Sequence, residues 1–333
     1  MALFAPKPVA GYERRVPIWG ATVPGNHPDS KLERMRINRH TTTTLATMAF
    51  FMGIATDDEA RERDCDTFTY LTEIKPGYER ETFEDEPYLV PNVARDAEGS
   101  PSPVGCILVP GGGFGNKSMD GDVNEGEEPA LALVERGVSA FVLHYRSNPY
   151  EYPVPYLDFQ RAVRYLRAHA ADYGLDPARL SAVGFSAGGN VVCTHVNLIS
   201  GRDLLPEGYA RDVVDAEDDR LPQAAMCYPA VNFCGGGAGM LFCMFDAGEV
   251  RDPARRAELV DQMDTIAHFD SADVRQFLSY GTADQVVGTE QILAYVARAR
   301  EAGCDLTVHV AEGQNHAYHA PVYADALAAW LLA

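Results

Sequence analysis

The chain has 333 residues and a formal net charge of −20, from 28 Lys and Arg against 48 Asp and Glu. That length suits one large core, so one α/β domain with insertions is expected rather than two equal domains. A surface this acidic repels phosphate backbones and anionic lipid, which argues against nucleic-acid and membrane-surface partners.

Residues 1–30 are rich in Pro and Gly and read as irregular, with Tyr12 to Trp19 as a short strand. In the stretch 31–64, Leu45, Met48, Ala49 and Met52 recur at helical spacing. A helix packing on the main domain is the expectation, with a contact in a homo-oligomer as the alternative. The most apolar early run, Leu45 to Ala55, is too short to span a bilayer and too far in for a signal peptide. The expected location is therefore cytoplasmic. The 7 cysteines are odd in number and irregular in spacing, and no C-x-x-C pair occurs. Buried free thiols fit this better than a disulfide framework or a structural zinc site. No metal and no cofactor is expected.

Strands and helices then alternate. Thr67 to Ile74 suits an edge strand and Glu79 to Val90 a second. Val104 to Val109 is continuously apolar, as a central strand buried on both faces would be. Glu125 to Arg136 reads as a helix with Gly137 as its C-cap. Ser139 to Tyr145 is another buried strand, and Leu157 to Tyr173 an amphipathic helix ended by Gly174. Leu180 to Val183, Gln223 to Val231, Val274 to Tyr280 and Leu306 to Val310 read as strands. Glu290 to Ala302 and Val322 to Leu332 read as helices. This order predicts an α/β fold with a doubly wound, mostly parallel sheet.

Two stretches are long for simple connections: 200–222, which is acidic, and 232–270, which carries Gly235 to Gly237. Both are expected to leave the sheet near its C-terminal edge and to act as lids. Tyr228, Phe233, Met240, Leu241, Phe242, Met244 and Phe245 would line them, restricting a pocket to short acyl chains. A core helix over Met240 to Phe245 is the alternative.

The chemistry centres on Gly184-Phe185-Ser186-Ala187-Gly188, which stands between an apolar strand and a helical pattern. Strand, G-x-S-x-G and helix together make the context of a nucleophile elbow. A serine hydroxyl needs an adjacent base, and the acid and histidine belong at the ends of later strands. Asp284 lies just past one such strand, whereas Asp264, Asp270 and Asp273 precede it. His316 follows the last strand, with His319 as the alternative base; His309 lies inside that strand, and His195 on the elbow helix reads as packed or capped. After the central strand comes Pro110-Gly111-Gly112-Gly113-Phe114, whose amides, with that of Ala187, can hold an oxyanion. No Gly-Lys-Ser/Thr follows, so it is not a phosphate loop. Phe114 is the expected substrate contact.

Several of these motifs together resemble a family. Pro110-Gly-Gly-Gly-Phe, Glu125-Gly126, Ala140-Phe-Val-Leu-His-Tyr-Arg146, Leu157-Asp-Phe-Gln-Arg-Ala-Val-Arg164 and Gly184-Phe-Ser-Ala-Gly-Gly189 look like α/β-hydrolase esterases of the acetyl-xylan-esterase-like and hormone-sensitive-lipase-like kind. The likeness covers residues 67–333, which would leave 1–66 as an extension packing on the core. It implies Ser186, Asp284 and His316 as a triad, with Gly112, Gly113 and Ala187 as oxyanion donors. It also implies that Asp158, Arg161 and Arg164 are scaffold ion-pair residues. Pro110 stands where lipase-type members carry His, and His316-Ala-Tyr replaces His-Gly-Phe. The resemblance implies a serine carboxylesterase on small acyl esters, acetylated sugars among them. A peptidase or amidase of the same fold, or a catalytically silent binding protein, are the alternatives.

Overall fold

The computed structural model describes residues 12–25, 86–114, 117–119, 124–147 and 150–333. Eight strands form one sheet: β1 (Val16–Pro17), β2 (Tyr88–Asn92), β3 (Gly105–Val109), β4 (Ser139–His144), β5 (Leu180–Phe185), β6 (Gln223–Cys227), β7 (Arg275–Gly281) and β8 (Leu306–Ala311). Their order is β1-β2-β4-β3-β5-β6-β7-β8. β2 is antiparallel to both its neighbours, and all pairs from β4 to β8 are parallel.

Every residue of β3, β4 and β5 is buried, which is why these strands read as apolar runs without alternation. Successive side chains feed opposite cores. Ile107 and Val109 face the layer that holds α2 (Val154–Ala168) and α3 (Ala187–Thr194). Cys106 and Leu108 face α1 (Glu127–Val134) and, with it, the closing helix Ala324–Leu332.

Some boundaries differ from expectation. The short strand expected within Tyr12 to Trp19 is only Val16–Pro17, which pairs with Leu89 and Tyr88 in the main sheet. The strand expected at 67–74, the helix around Leu45 to Met52 and most of the strand expected at 79–90 lie outside the described residues. The strand from Gln223 stops at Cys227, since Tyr228 adopts φ 39° and turns the chain out of the sheet.

The stretch 200–222 is not where a lid must be. It starts beyond α3 and ends just before Gln223, the first residue of β6, so it belongs to the strands' N-terminal edge and lies along α2. There Arg161 binds Asp212 and Asp215 at 2.6 and 2.7 Å, and Arg164 meets Asp219 at 3.4 Å. Its acidity therefore serves the scaffold. Asp158 accepts from Arg146 Nη2 at 2.7 Å and from Trp19 Nε1 at 2.9 Å, with the Arg146–Asp158 pair fully buried. The stretch 232–270 instead follows the C-terminal end of β6. It holds 3-10 and one-turn helical segments over Gly235–Met240 and Leu241–Met244, a short helix at Ala247–Arg251, and α4 (Pro253–Gln262).

Candidate active site

The elbow arises from glycine at two positions where nothing larger fits. A Cβ at Gly188 would stand 1.9 Å from the Val109 carbonyl oxygen, and one at Gly184 would stand 2.3 Å from the Gly188 oxygen. β3, β5 and the start of α3 can therefore close up, and Ser186 is left at φ 51°, ψ −116°. Such strain persists only where surrounding contacts impose it. Here the Ser186 amide donates to Cys227 O at 3.1 Å, and its carbonyl accepts from the amides of Asn190 and Ala230, each at 3.1 Å.

The exits of β7 and β8 are likewise in contact. A Cβ on Gly281 would stand 2.3 Å from Gln314 O, and the Ala283 amide donates to that oxygen at 3.0 Å. Asn315 Oδ1 accepts from the Gln285 amide at 2.9 Å. This joins the loop bearing Asp284 to the loop bearing His316. His316 Nδ1 lies 2.7 Å from Asp284 Oδ2, and His316 Nε2 lies 2.9 Å from Ser186 Oγ. The Asp284 side chain is fully buried and that of His316 is 11% exposed. Burial alone would push the Asp284 carboxyl up. The hydrogen bond and charge of His316, together with the amides of Val286 and Val287, outweigh it and hold it below the usual range. Those amides donate to its Oδ1 at 2.9 and 3.0 Å. One oxygen thus faces the imidazole while the other is anchored to backbone.

The other candidate histidines stand apart. His319 Nδ1 lies 2.9 Å from Glu128, His195 Nε2 lies 2.9 Å from the Asp219 carbonyl, and His309 Nδ1 lies 2.9 Å from Ser279 Oγ. Asp264 receives Asn232 Nδ2 and caps a local turn.

Beside Ser186 runs the glycine loop after β3. Gly112 and Gly113 take φ 116° and 63°, and Phe114 takes φ 61°. Ala187 begins α3, so its amide belongs to the donors at a helix N-terminus that have no intrahelical partner. Phe114 is wholly buried, with its ring 6.2 Å from Tyr156 and 6.4 Å from Phe233. Phe233 meets Phe245 at 6.4 Å, and Phe245 stacks on Tyr152 at 5.7 Å. Met240, Leu241 and Met244 are buried in the same cluster, while the Phe242 side chain lies outside the described residues. Tyr228 meets the His316 ring edge-on at 5.0 Å.

Two features escaped the sequence. One is Tyr228 as a neighbour of the imidazole. The other is Glu125, 3% exposed, whose Oε2 accepts from the Gly111 amide at 2.6 Å. Among the described residues, no group of three or more His, Cys, Asp or Glu is placed to hold a metal, and no helix is long and apolar enough to cross a membrane.

Comparison with known proteins bears on the fold and its relatives. The BD-FAE family model matches residues 94–202. Endo-1,4-beta-xylanase B of Butyrivibrio fibrisolvens is 40% identical over 91 residues, covering 26% of this chain and 14% of that protein. Acetylxylan esterase of Xylanibacter ruminicola is 32% identical over 92 residues, covering 28% and 18%. The chain thus spans less than a fifth of the length of these two curated relatives. The crystal structure of the acetyl ester-xyloside bifunctional hydrolase from Caldicellulosiruptor lactoaceticus superimposes with a TM-score of 0.61 at 25% identity, covering 74% of this chain and 88% of that one. In fold the chain is an α/β-hydrolase, and its likenesses run to the acetylxylan esterases and their kin.

Proposed function

We propose that the protein is a serine carboxylesterase that cleaves short acyl esters through an acyl-enzyme, with acetylated carbohydrate as the natural substrate class. The observation that carries this is the Ser186–His316–Asp284 chain of contacts at 2.9 and 2.7 Å, set on a strained elbow beside a glycine loop. The relatives' printed activities point the same way.

In this reading His316 Nε2 takes the Ser186 proton as Oγ attacks the ester carbonyl. Asp284 holds the Nδ1 proton and offsets the charge of the imidazolium. The amides of Gly112, Gly113 and Ala187 receive the oxyanion. The imidazolium protonates the departing alcohol, and water then releases the acid by the same steps in reverse. Phe114, Tyr152, Phe233 and Phe245 form an aromatic wall over the acyl side, with 232–270 as the lid that supplies Phe233 and Phe245. Bulky rings there favour acetate or butyrate over long chains. The six described cysteines are free, which suits a reducing, cytoplasmic setting.

The test is hydrolysis of p-nitrophenyl acetate beside an aminoacyl-nitroanilide, by wild type and Ser186→Ala. Acetate turnover that drops by about 10⁴ to 10⁶ in the variant supports the reading. Faster cleavage of the anilide, or retained activity in the variant, refutes it.

A further inference from the structure

Glu125 has no role in the steps above. Its position is nonetheless closely tied to them. Its carboxyl accepts from Gly111 N at 2.6 Å, its own amide donates to Ser118 O at 2.7 Å, and Ser118 N donates to Gly111 O at 3.2 Å. These bonds hold both backbone groups of Gly111, the first residue of the glycine loop. Gly111 in turn lies against the nucleophilic residue: a Cβ there would stand 2.7 Å from Ser186 Cβ and 2.9 Å from Glu125 Oε2. A single residue's backbone thus separates the carboxyl from Ser186. The Tyr228 ring packs edge-on against His316.

Burying an acid is costly unless the surroundings compensate. Burial pushes Glu125 up to about 7, against the Gly111 amide, the charge of His316 and the Tyr228 hydroxyl, which pull it down. Tyr145, Cys227 and Tyr323 also interact with it, and burial raises all three, so they remain protonated. The turn before α1 could have been closed at lower cost by a neutral side chain. What the carboxyl adds is a strong acceptor aimed at one amide of the glycine loop.

We propose that Glu125 is a positioning residue for the oxyanion donors: by holding the Gly111 amide inward, it sets where Gly112 and Gly113 present theirs beside Ser186. The proposal rests on the esterase reading. It predicts that an acceptor at this position matters and that loss of it is felt in the transition state.

The experiment compares wild type, Glu125→Gln and Glu125→Ala on p-nitrophenyl acetate, with the Gly111 amide proton followed in ¹⁵N-glycine-labelled protein. Glu125→Ala should lower kcat by about tenfold to a hundredfold, less than the full loss of an oxyanion donor, with KM within about threefold. Glu125→Gln keeps an amide oxygen and should recover kcat to within about threefold of wild type. The Gly111 proton should lie far downfield in wild type and move upfield in the Gln variant, a readout that needs neither substrate nor the Ala variant to fold. A kcat within twofold of wild type in Glu125→Ala, a loss confined to KM, or a Gly111 proton at an ordinary position each overturns the proposal. Absence of Ser186-dependent ester hydrolysis in wild type would overturn the esterase reading, and the Gly111 resonance would still test the bond.

Discussion

The two edges of the sheet are built differently. At the C-terminal edge lie all the non-glycine residues with positive φ among those described: Phe114, Ser186, Tyr228 and Ala317, each following a parallel strand. Backbone there is strained and held by short polar contacts. At the opposite edge, and along α2, the segment 200–222 is fastened by ion pairs and by an Asp212–Asp215 capping box. One edge concentrates strain and the candidate triad, and the other supplies compensating order. Substitutions at the first edge should therefore change turnover, and those at the second should change stability.

After Ser186 itself, the largest effect is expected at Asp284. Asp284→Asn should lower kcat by about 10⁴, since the imidazole loses the partner that fixes its tautomer. Asp270→Asn, on the segment leading into β7, should leave kcat within twofold. Equal losses at both would erase the distinction between the edges.

Next comes Arg161→Ala, which leaves the Asp215 carboxyl, 1% exposed, without its cation. Stability should fall by about 3 kcal/mol or more while kcat/KM on the remaining folded protein is unchanged. Thermal unfolding and steady-state kinetics on the same preparation separate the two quantities.

Glu125 sharpens the contrast through pH. A carboxyl raised from 4.5 to about 7 binds its proton more tightly folded than unfolded. Its contribution to stability is fully present below pH 4.5 and is lost as pH rises through 7. Glu125→Gln has no such loss, so its stability relative to wild type should climb by up to about 3 kcal/mol across that window. A difference independent of pH would show that the carboxyl does not titrate there.

The smallest effect concerns the acyl side. With wild type, kcat/KM should decline from p-nitrophenyl butyrate to octanoate. Phe245→Ala should raise the octanoate value about tenfold and leave acetate nearly unchanged, as expected for space gained in an apolar pocket. A flat wild-type profile would refute the lid role of 232–270.

Legibility followed the same division. Ser186, Asp284 and His316 could be named as candidates because each lies at or in the loop after a strand's C-terminal end, and strand order decides which loops share an edge. The stretch 200–222 was misplaced because length and acidity say nothing about which edge a segment occupies. That it runs from a helix to a strand does say so. Tyr228 continues an apolar run through Ala230 and Val231, so only its backbone geometry reveals that the strand has ended. Glu125 sits among Asn124, Gly126, Glu127 and Glu128, where an acid at a helix start is ordinary. Only tertiary packing buries it.

The central claim, that Ser186 is the activated nucleophile, is tested most directly by fluorophosphonate labelling followed by peptide mapping. Ser279 is the natural internal control, since it too has a histidine nitrogen at 2.9 Å, that of His309. A single adduct on Ser186, absent in Ser186→Ala and much reduced in Asp284→Asn, is the predicted result. No adduct in wild type, or an adduct on Ser279 in its place, would contradict the account.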